Sequence, residues 1–171
     1  AAVTEISPAN YQEMLTPNGS RQYIYLYAAM QPYTYTVTYD LNAENDETAS
    51  LGIDNKTGDP YVSGQMYEID KTYQFAVASR NGFRFDYWTV NADGSGNRYG
   101  AHTNFRNLKV AEGNPDFKVY AHWTPITYAI DYNLSGGRNS NLNPLRFTVQ
   151  TKEADLRLYN ATKTNYVFKG W

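Results

Sequence analysis

The feature that most constrains this chain is an internal repeat, because repeated units must fold alike and pack in series. Three pairs of segments match in the same order: 33–42 (YTYTVTYDLN) with 126–135 (ITYAIDYNLS), 25–32 (YLYAAMQP) with 118–125 (KVYAHWTP), and 82–88 (GFRFDYW) with 165–171 (NYVFKGW). The first two pairs are offset by 93 residues and the third by 83. The second copy is therefore about ten residues shorter in its first half, a difference that surface loops absorb at little cost.

These matches divide the chain into three parts. Residues 33–125 form one complete repeat, residues 1–32 the C-terminal half of a preceding repeat, and residues 126–171 the N-terminal half of a following one. Each half lacks strands that a complete unit has, so we expect exposed strand edges and aromatic residues in both. We also expect the half-repeats to pair, within a chain or between neighbouring chains.

The fold class predicted from composition and patterning is mostly β. The chain has 17 Tyr in 171 residues, and aromatic and β-branched residues favour strands. In the opening segment, Tyr33, Tyr35, Val37, Tyr39 and Leu41 alternate with polar residues, which predicts a strand with one buried face. The other predicted elements are strands at 61–69, 73–75, 83–88 and 117–123, their counterparts at 145–149, 156–158, 166–171 and 22–28, a helix at 7–15, and either helix or strand at 102–110.

Several function classes are disfavoured by composition. The net charge of -2 argues against nucleic-acid binding, and no apolar run reaches the roughly 20 residues of a membrane helix. With no Cys and two His, a thiolate or imidazole-rich metal site is excluded. The alternating oxygen side chains of 91–97 lack the closing Glu of a calcium loop, so a polar hairpin loop is the favoured interpretation.

No catalytic residue is predicted, and the chain is not expected to be an enzyme or to need a cofactor. It contains no Gly-x-Ser-x-Gly motif, and His122 lies within a predicted strand. The acidic residues Glu44, Asp46 and Glu47 are interpreted as solvated surface.

The repeat motifs resemble a known family. The opening strand, the Asn165–Trp171 centre and the Tyr-Ala-x-Trp close at 120–123 are similar to the Listeria–Bacteroides surface repeat of the internalin B-repeat type. Departures from the family pattern are Asp86-Tyr87 before Trp88, an insertion around 43–60, and Met30 in place of a closing Trp. The resemblance implies small β-grasp-like α+β modules with at most one short helix each, in tandem on secreted or wall-attached bacterial proteins.

The function expected from this resemblance is that of a stalk, spacer or adhesion module on the bacterial cell surface or wall. Expected partners are other repeats of the parent protein and a host protein, cell-wall protein or glycan. The dipeptides Gln31-Pro32 and Thr124-Pro125 are predicted linkers, because proline fixes φ and stiffens a junction. The alternative is a carbohydrate-binding module that uses exposed Tyr and Trp residues, since aromatic rings stack on sugar faces. The ligand-binding residues are not identified by the sequence.

Overall fold

The computed structural model describes residues 11–18, 20–108 and 115–171. The chain separates into two compact units, with the boundary after Pro32. Among the described residues, no helix is long and apolar enough to cross a membrane.

The first unit contains a short helix and a hairpin. Helix α1 (Tyr11–Met14) is followed by β1 (Leu15–Asn18) and β2 (Arg21–Ile24), which pair antiparallel with Leu15 opposite Ile24. Within the predicted helix 7–15, residues 7–10 lie outside the described residues and Leu15 already belongs to β1. The predicted strand 22–28 ends at Ile24, because β1 offers no partner beyond Leu15.

The second unit contains the remaining strands. In chain order they are β3 (Thr34–Asp40), β4 (Ser50–Leu51), β5 (Gln65–Glu68), β6 (Tyr73–Gln74), β7 (Ala78–Ser79), β8 (Phe83–Thr89), β9 (Arg98–Tyr99), β10 (Asn104–Phe105), β11 (Asp116–Pro125), β12 (Tyr128–Ala129) and β13 (Arg146–Phe147), with a 3₁₀ helix, η1 (Glu153–Leu156). The mostly β fold class is thus confirmed.

A five-stranded mixed sheet organises the complete repeat. Its strand order is β5-β3-β11-β8-β9, so the first and last strands of the repeat lie side by side. The pair β3–β11 is parallel, and the other pairs in this sheet are antiparallel. Within the described parts of 33–125 there is no α-helix. In the segment 102–110, predicted to be either helix or strand, Asn104–Phe105 form the short strand β10. The β-grasp likeness stays a prediction.

The core of this sheet is aromatic, as the strand pattern predicted. Tyr35, Val37 and Tyr39 are buried on one face of β3, and Trp88 and Val119 are fully buried in β8 and β11. Placing Tyr33 on this face was wrong: its side chain is 84% exposed. The ladder between β3 and β5 begins only at Thr34, so Tyr33 lies beyond the covered part of the face.

The linker prediction at Thr124-Pro125 was also wrong. Both residues belong to β11 and are paired with β8, with Pro125 opposite Phe83. Proline is tolerated there because it stands at the strand end, where no further ladder bond is needed.

The segment 126–171 repeats local geometry of the complete repeat. Tyr39 and Trp88 have ring centroids 4.9 Å apart at 57°, and Tyr132 and Trp171 have centroids 5.0 Å apart at 59°. The Trp88 indole donates a hydrogen bond to the Ala76 carbonyl at 2.7 Å. Its counterpart Trp171 donates to the Tyr159 carbonyl at 3.1 Å.

Two turns are repeated as well. Asn42 and Ser135 have φ of 47° and 45°, and the backbone N–H of each donates to the side chain two positions earlier, Asp40 and Asn133. A cation also lies over an aromatic ring at each central turn: Arg80 over Phe83 at 4.0 Å and Lys163 over Tyr166 at 4.4 Å.

The strand ladder, in contrast, is only partly repeated. Where β3 has seven residues, its counterpart β12 has two and pairs only with β13. The predicted strand 156–158 is wrong, because Leu156 ends η1 and residues 157–158 have no regular secondary structure. The counterpart of β8 at 166–171 forms no strand either.

Candidate functional site

The segment 126–171 contains a surface groove, here called the open groove. Its walls come from two stretches that are distant in sequence, Asn133–Ser135 and Tyr166–Trp171, and its base includes Ala161–Lys163. Leu134, Phe168 and Trp171 give it an apolar lining.

In the complete repeat the corresponding space is filled by β11. One edge of β11 pairs with β3, for example Phe117 opposite Val37, and the other with β8, with Ala121 opposite Trp88. The wall 166–171 is the counterpart of β8. The wall 133–135 begins at the last residue of the counterpart of β3 and continues into the turn that follows it.

The equivalent tryptophans of the two copies differ in exposure. Trp88 is 0% exposed beneath β11, whereas Trp171 is 49% exposed. Val167 and Tyr166 on the same wall are also exposed. This wall of the open groove therefore presents apolar side chains at the surface.

The polar groups of the open groove serve its own architecture. The Lys163 ammonium donates to the Ser135 carbonyl at 2.7 Å, which ties the base of the groove to the wall 133–135. Next to the lining in sequence, the Tyr132 hydroxyl donates to the Pro144 carbonyl at 2.7 Å. These two hydrogen bonds therefore join parts of the segment 126–171 to one another.

A second cavity, here called the Tyr61 pocket, lies in the complete repeat. It is lined by Asp54, Asp59, Tyr61, Gln74 and neighbouring residues. The Tyr61 hydroxyl and the Gln74 side-chain oxygen are buried there, with no hydrogen-bond partner among the residues that the structure describes. Burial, with the charge of Asp54 as a smaller cause, raises the pKa of Tyr61 to about 12. The pocket thus presents polar groups that a ligand with hydroxyls could satisfy.

The residues weighed for metal binding and catalysis have structural contacts. Residues 90–97 connect β8 to β9, and Asn91 donates its side-chain amide to the Ser95 hydroxyl at 3.0 Å. His122 lies in β11, 2.6 Å from the Thr89 hydroxyl and stacked on Tyr87. Within the described residues no three His, Cys, Asp or Glu side chains cluster as metal ligands would.

The acidic loop 44–47 is less uniform than the sequence suggests. Glu44 and Glu47 are exposed, as expected of solvated surface. Asp46, however, forms an ion pair with Arg80 at 2.7 Å and accepts a hydrogen bond from the Thr48 hydroxyl at 2.6 Å. These contacts, the Thr48 bond first, lower the pKa of Asp46 to about 2.

Repetition of the core geometry along one polypeptide defines a tandem β-repeat protein. The chain belongs to the Listeria-Bacteroides repeat domain family, whose sequence model matches residues 35–122 and 128–171. The resemblance seen in the motifs is thereby confirmed. Proteins of this family are bacterial surface proteins and the repeat is generally non-enzymatic. No curated protein and no solved structure matches the chain.

Sequence reasoning identified neither candidate site by its lining residues. The exposed edges of 126–171 followed from the repeat frame, but the groove depends on how the loops place residues 133–135 and 166–171. The Tyr61 pocket had no motif, since Asp54 and Asp59 resemble any polar hairpin loop in the sequence.

Proposed function

We propose that this chain is a non-enzymatic, extracellular segment of a bacterial surface protein that serves as a load-bearing stalk or spacer. We also propose the division into a preceding half (1–32), a complete repeat (33–125) and a following half (126–171). Family membership supports the surface location, and the parallel pairing of β3 with β11 supports the mechanical role.

The direction of load relative to the strands is the central observation. Because β3 opens the repeat, β11 closes it and the two are parallel neighbours, tension along the chain pulls them past each other. Their hydrogen bonds are then loaded together rather than one after another. A sheet loaded in this way resists extension better than one that is peeled open.

Side chains reinforce the same strand pair. Asp116 of β11 accepts hydrogen bonds from the hydroxyls of Thr36 and Thr38 at 2.9 and 2.6 Å. Lys118 forms an ion pair with Asp40 at 3.0 Å, and the Trp123 indole donates to the Leu41 carbonyl at 2.7 Å. These contacts tie β11 to β3 and to the residue that follows it.

Single-molecule force spectroscopy tests this proposal. Since the chain has no Cys, the handles through which force is applied attach only at the cysteines that are introduced. The pair Tyr33→Cys and Thr127→Cys loads β3 and β11 in opposite directions, and the pair Tyr33→Cys and Pro115→Cys pulls the same strands apart from their adjacent ends. We expect a clearly higher unfolding force for the first pair. Equal forces, or a higher force for the second pair, would contradict a load-bearing role.

A second candidate function, carbohydrate binding, is favoured by the Tyr61 pocket. Two carboxylates lie beside a buried, unpaired hydroxyl, which suits a polyhydroxylated ligand. Titration with soluble glycans, followed by NMR shifts of the residues around Tyr61, tests it. Asp54→Asn should weaken any binding, whereas Glu47→Gln on an exposed loop should not. An absence of shifts across a broad glycan set would exclude this function.

A further inference from the structure

We propose that the Tyr61 pocket binds the protonated amino group of an amino sugar. This ligand class rests on the second candidate function, carbohydrate binding at the same pocket, and adds the chemical group that is recognised. All residues that line the pocket lie between Asp54 and Gln74, so the site is contained within residues 33–125.

The polar groups of the pocket are rich in hydrogen-bond acceptors. The carboxylates of Asp54 and Asp59 can only accept. The Gln74 side chain donates its Nε2 to the His102 carbonyl at 2.8 Å, so its unpartnered Oε1 is an acceptor as well. Tyr61 is 8% exposed, and its hydroxyl has no partner among the described residues. A ligand group that donates several hydrogen bonds would satisfy these atoms, and a primary ammonium donates three.

The charge of the pocket is negative and uncompensated. The described residues that line it include no Lys, Arg or His, and neither Asp54 nor Asp59 forms an ion pair with any residue that the structure describes. Burial, and to a smaller extent the charge of Asp54, raises the pKa of both Tyr61 and Tyr67, so this carboxylate lies near the two hydroxyls. A cation bound here would be attracted by the carboxylates and by the tyrosine rings.

The backbone of the loop holds the two acidic residues next to each other. The Asp54 N–H donates to the Asp59 carbonyl, and the Gly58 N–H donates to the Asp54 carbonyl, both at 2.8 Å. The Lys56 N–H donates to one oxygen of the Asp54 carboxylate at 2.8 Å, which orients that side chain. Like charges fixed on neighbouring residues repel each other, and a bound cation relieves this repulsion.

The size of the pocket and its neutral polar groups favour a sugar amine over a lysine side chain. The cavity has a volume of about 210 Å³, below the roughly 300–1,000 Å³ of sites for drug-sized ligands, so it suits one small unit of a ligand. Thr57 and Gln65 line it beside the carboxylates. Their hydroxyl and amide groups can exchange hydrogen bonds with sugar hydroxyls, whereas the methylene groups of a lysine side chain would leave them unused.

Titration of the full chain with glucosamine, followed by amide NMR shifts at about pH 6, tests the amino group, since amines are protonated at this pH. N-acetylglucosamine is the matched control, because acetylation removes the charge and keeps the sugar ring. We expect shifts centred on residues 54–74 and binding of glucosamine about ten-fold or more tighter, because a hydrogen bond to a charged group contributes on the order of this factor. Equal affinities would overturn the amino-group proposal and leave carbohydrate binding in place. No shift with either sugar would overturn both.

Two further measurements separate the sources of the affinity. Lysine amide with an acetylated α-amino group carries an ammonium without a sugar, and binding as tight as that of glucosamine would overturn recognition of the sugar. The double variant Asp54→Asn with Asp59→Asn keeps the shape of both side chains and removes their charge, so it should bind the two sugars alike. Glu47→Gln, on an exposed loop outside the lining, should retain the preference for glucosamine. A preference that survives the double variant would overturn the proposal.

Discussion

Trp88 and Trp171 occupy equivalent positions in the two copies and differ in what covers them. Trp88 is fully buried and its indole N–H is bonded to the Ala76 carbonyl, whereas Trp171 is about half exposed. We expect Trp88→Phe to lower the free energy of unfolding by about 2–4 kcal/mol, because it leaves a cavity and an unsatisfied carbonyl. Trp171→Phe should cost less than about 1 kcal/mol. Urea denaturation of dilute chain measures both values, and equal losses would contradict the assigned difference in burial.

Asp46 links the acidic loop to the central turn through Arg80 and should make stability sensitive to acid. Its folded pKa of about 2 lies below the unfolded value of about 3.9. The stabilisation is therefore present above about pH 4 and is lost as the pH falls towards 2. Chemical denaturation at a series of acidic pH values should show this loss in the wild type and a flatter profile for Asp46→Asn.

The control for this acid dependence is Glu47→Gln, which removes an exposed carboxylate from the same loop. It should preserve the wild-type pH profile. If Asp46→Asn and Glu47→Gln flatten the profile equally, the Arg80 and Thr48 contacts of Asp46 are not what stabilises the fold at neutral pH.

At the scale of elements, the turn before β8 carries a close contact between residues 33–125 and residues 126–171. Gly82 has φ of 77°, and an added Cβ there would clash with Val149. Gly58 has a similar φ of 80° with open space around the Cβ position. Gly58→Ala should thus lower the free energy of unfolding by about 1 kcal/mol, through backbone strain alone. Gly82→Ala should lower it further, because Val149 must also be displaced.

Thermal unfolding of the two glycine variants gives the comparison. We expect a larger decrease of the melting temperature for Gly82→Ala than for Gly58→Ala. Combining Gly82→Ala with Val149→Ala, which removes the clashing methyl groups, should recover part of the difference. Equal decreases would mean that Val149 does not pack against this turn.

The long strands were predictable from the sequence because their periodicity is carried by the residues that they bury. β3, β8 and β11 lie where alternation and aromatic residues placed them. The predicted strand 22–28 forms only as far as Ile24, because strand formation needs a partner and β1 supplies none beyond Leu15. Alternation reports which face a strand would bury, but not whether a neighbouring strand is present to complete the ladder.

Loops account for most of the structural features that the sequence did not predict. Tyr35 pairs with Tyr67, 32 residues later, whereas Tyr128 pairs with Phe147, only 19 residues later. The second copy is therefore shortened by more than ten residues between these two strands and lengthened by a few residues after them. The motif offsets record only the difference, about ten residues. Loop paths place the walls of the open groove and the groups around Tyr61, which explains why the sequence indicated exposed edges but neither lining.

At the scale of the whole molecule, the aromatic core should set an alkaline limit to stability. Burial raises the pKa of Tyr39, Tyr61 and Tyr67 above the unfolded value of about 10, with Tyr61 at about 12. Their stabilisation is present below pH 10 and is lost as the pH rises further, because the unfolded chain releases these protons first. Tyr61→Phe should reduce this loss, since the Tyr61 hydroxyl has no hydrogen bond to forfeit. Chemical denaturation at a series of alkaline pH values measures the loss in free energy of unfolding. Tyr33→Phe, at an exposed position, should leave this pH dependence unchanged.

The distribution of the core predicts which parts of the chain fold alone. Every buried member of the main cluster lies between Tyr35 and Ala121. A fragment of residues 33–127 keeps this cluster and the five-stranded sheet, and loses contacts with residues 128–171 such as that between Gly82 and Val149. We therefore expect it to unfold cooperatively, with near-native near-ultraviolet circular dichroism.

The fragment 126–171 should behave differently. Its one ladder joins two strands of two residues, and its tryptophan is half exposed, so it buries too little apolar surface to offset the entropy of ordering. We expect it to be disordered alone and to gain structure when a peptide of residues 21–32 is added, since that peptide carries the apolar alternation of a closing strand. A peptide with Ala28→Arg is the control and should give no gain. A cooperatively folded 126–171 alone, or an unfolded 33–127, would contradict the proposed division of the chain into one complete and two partial repeats.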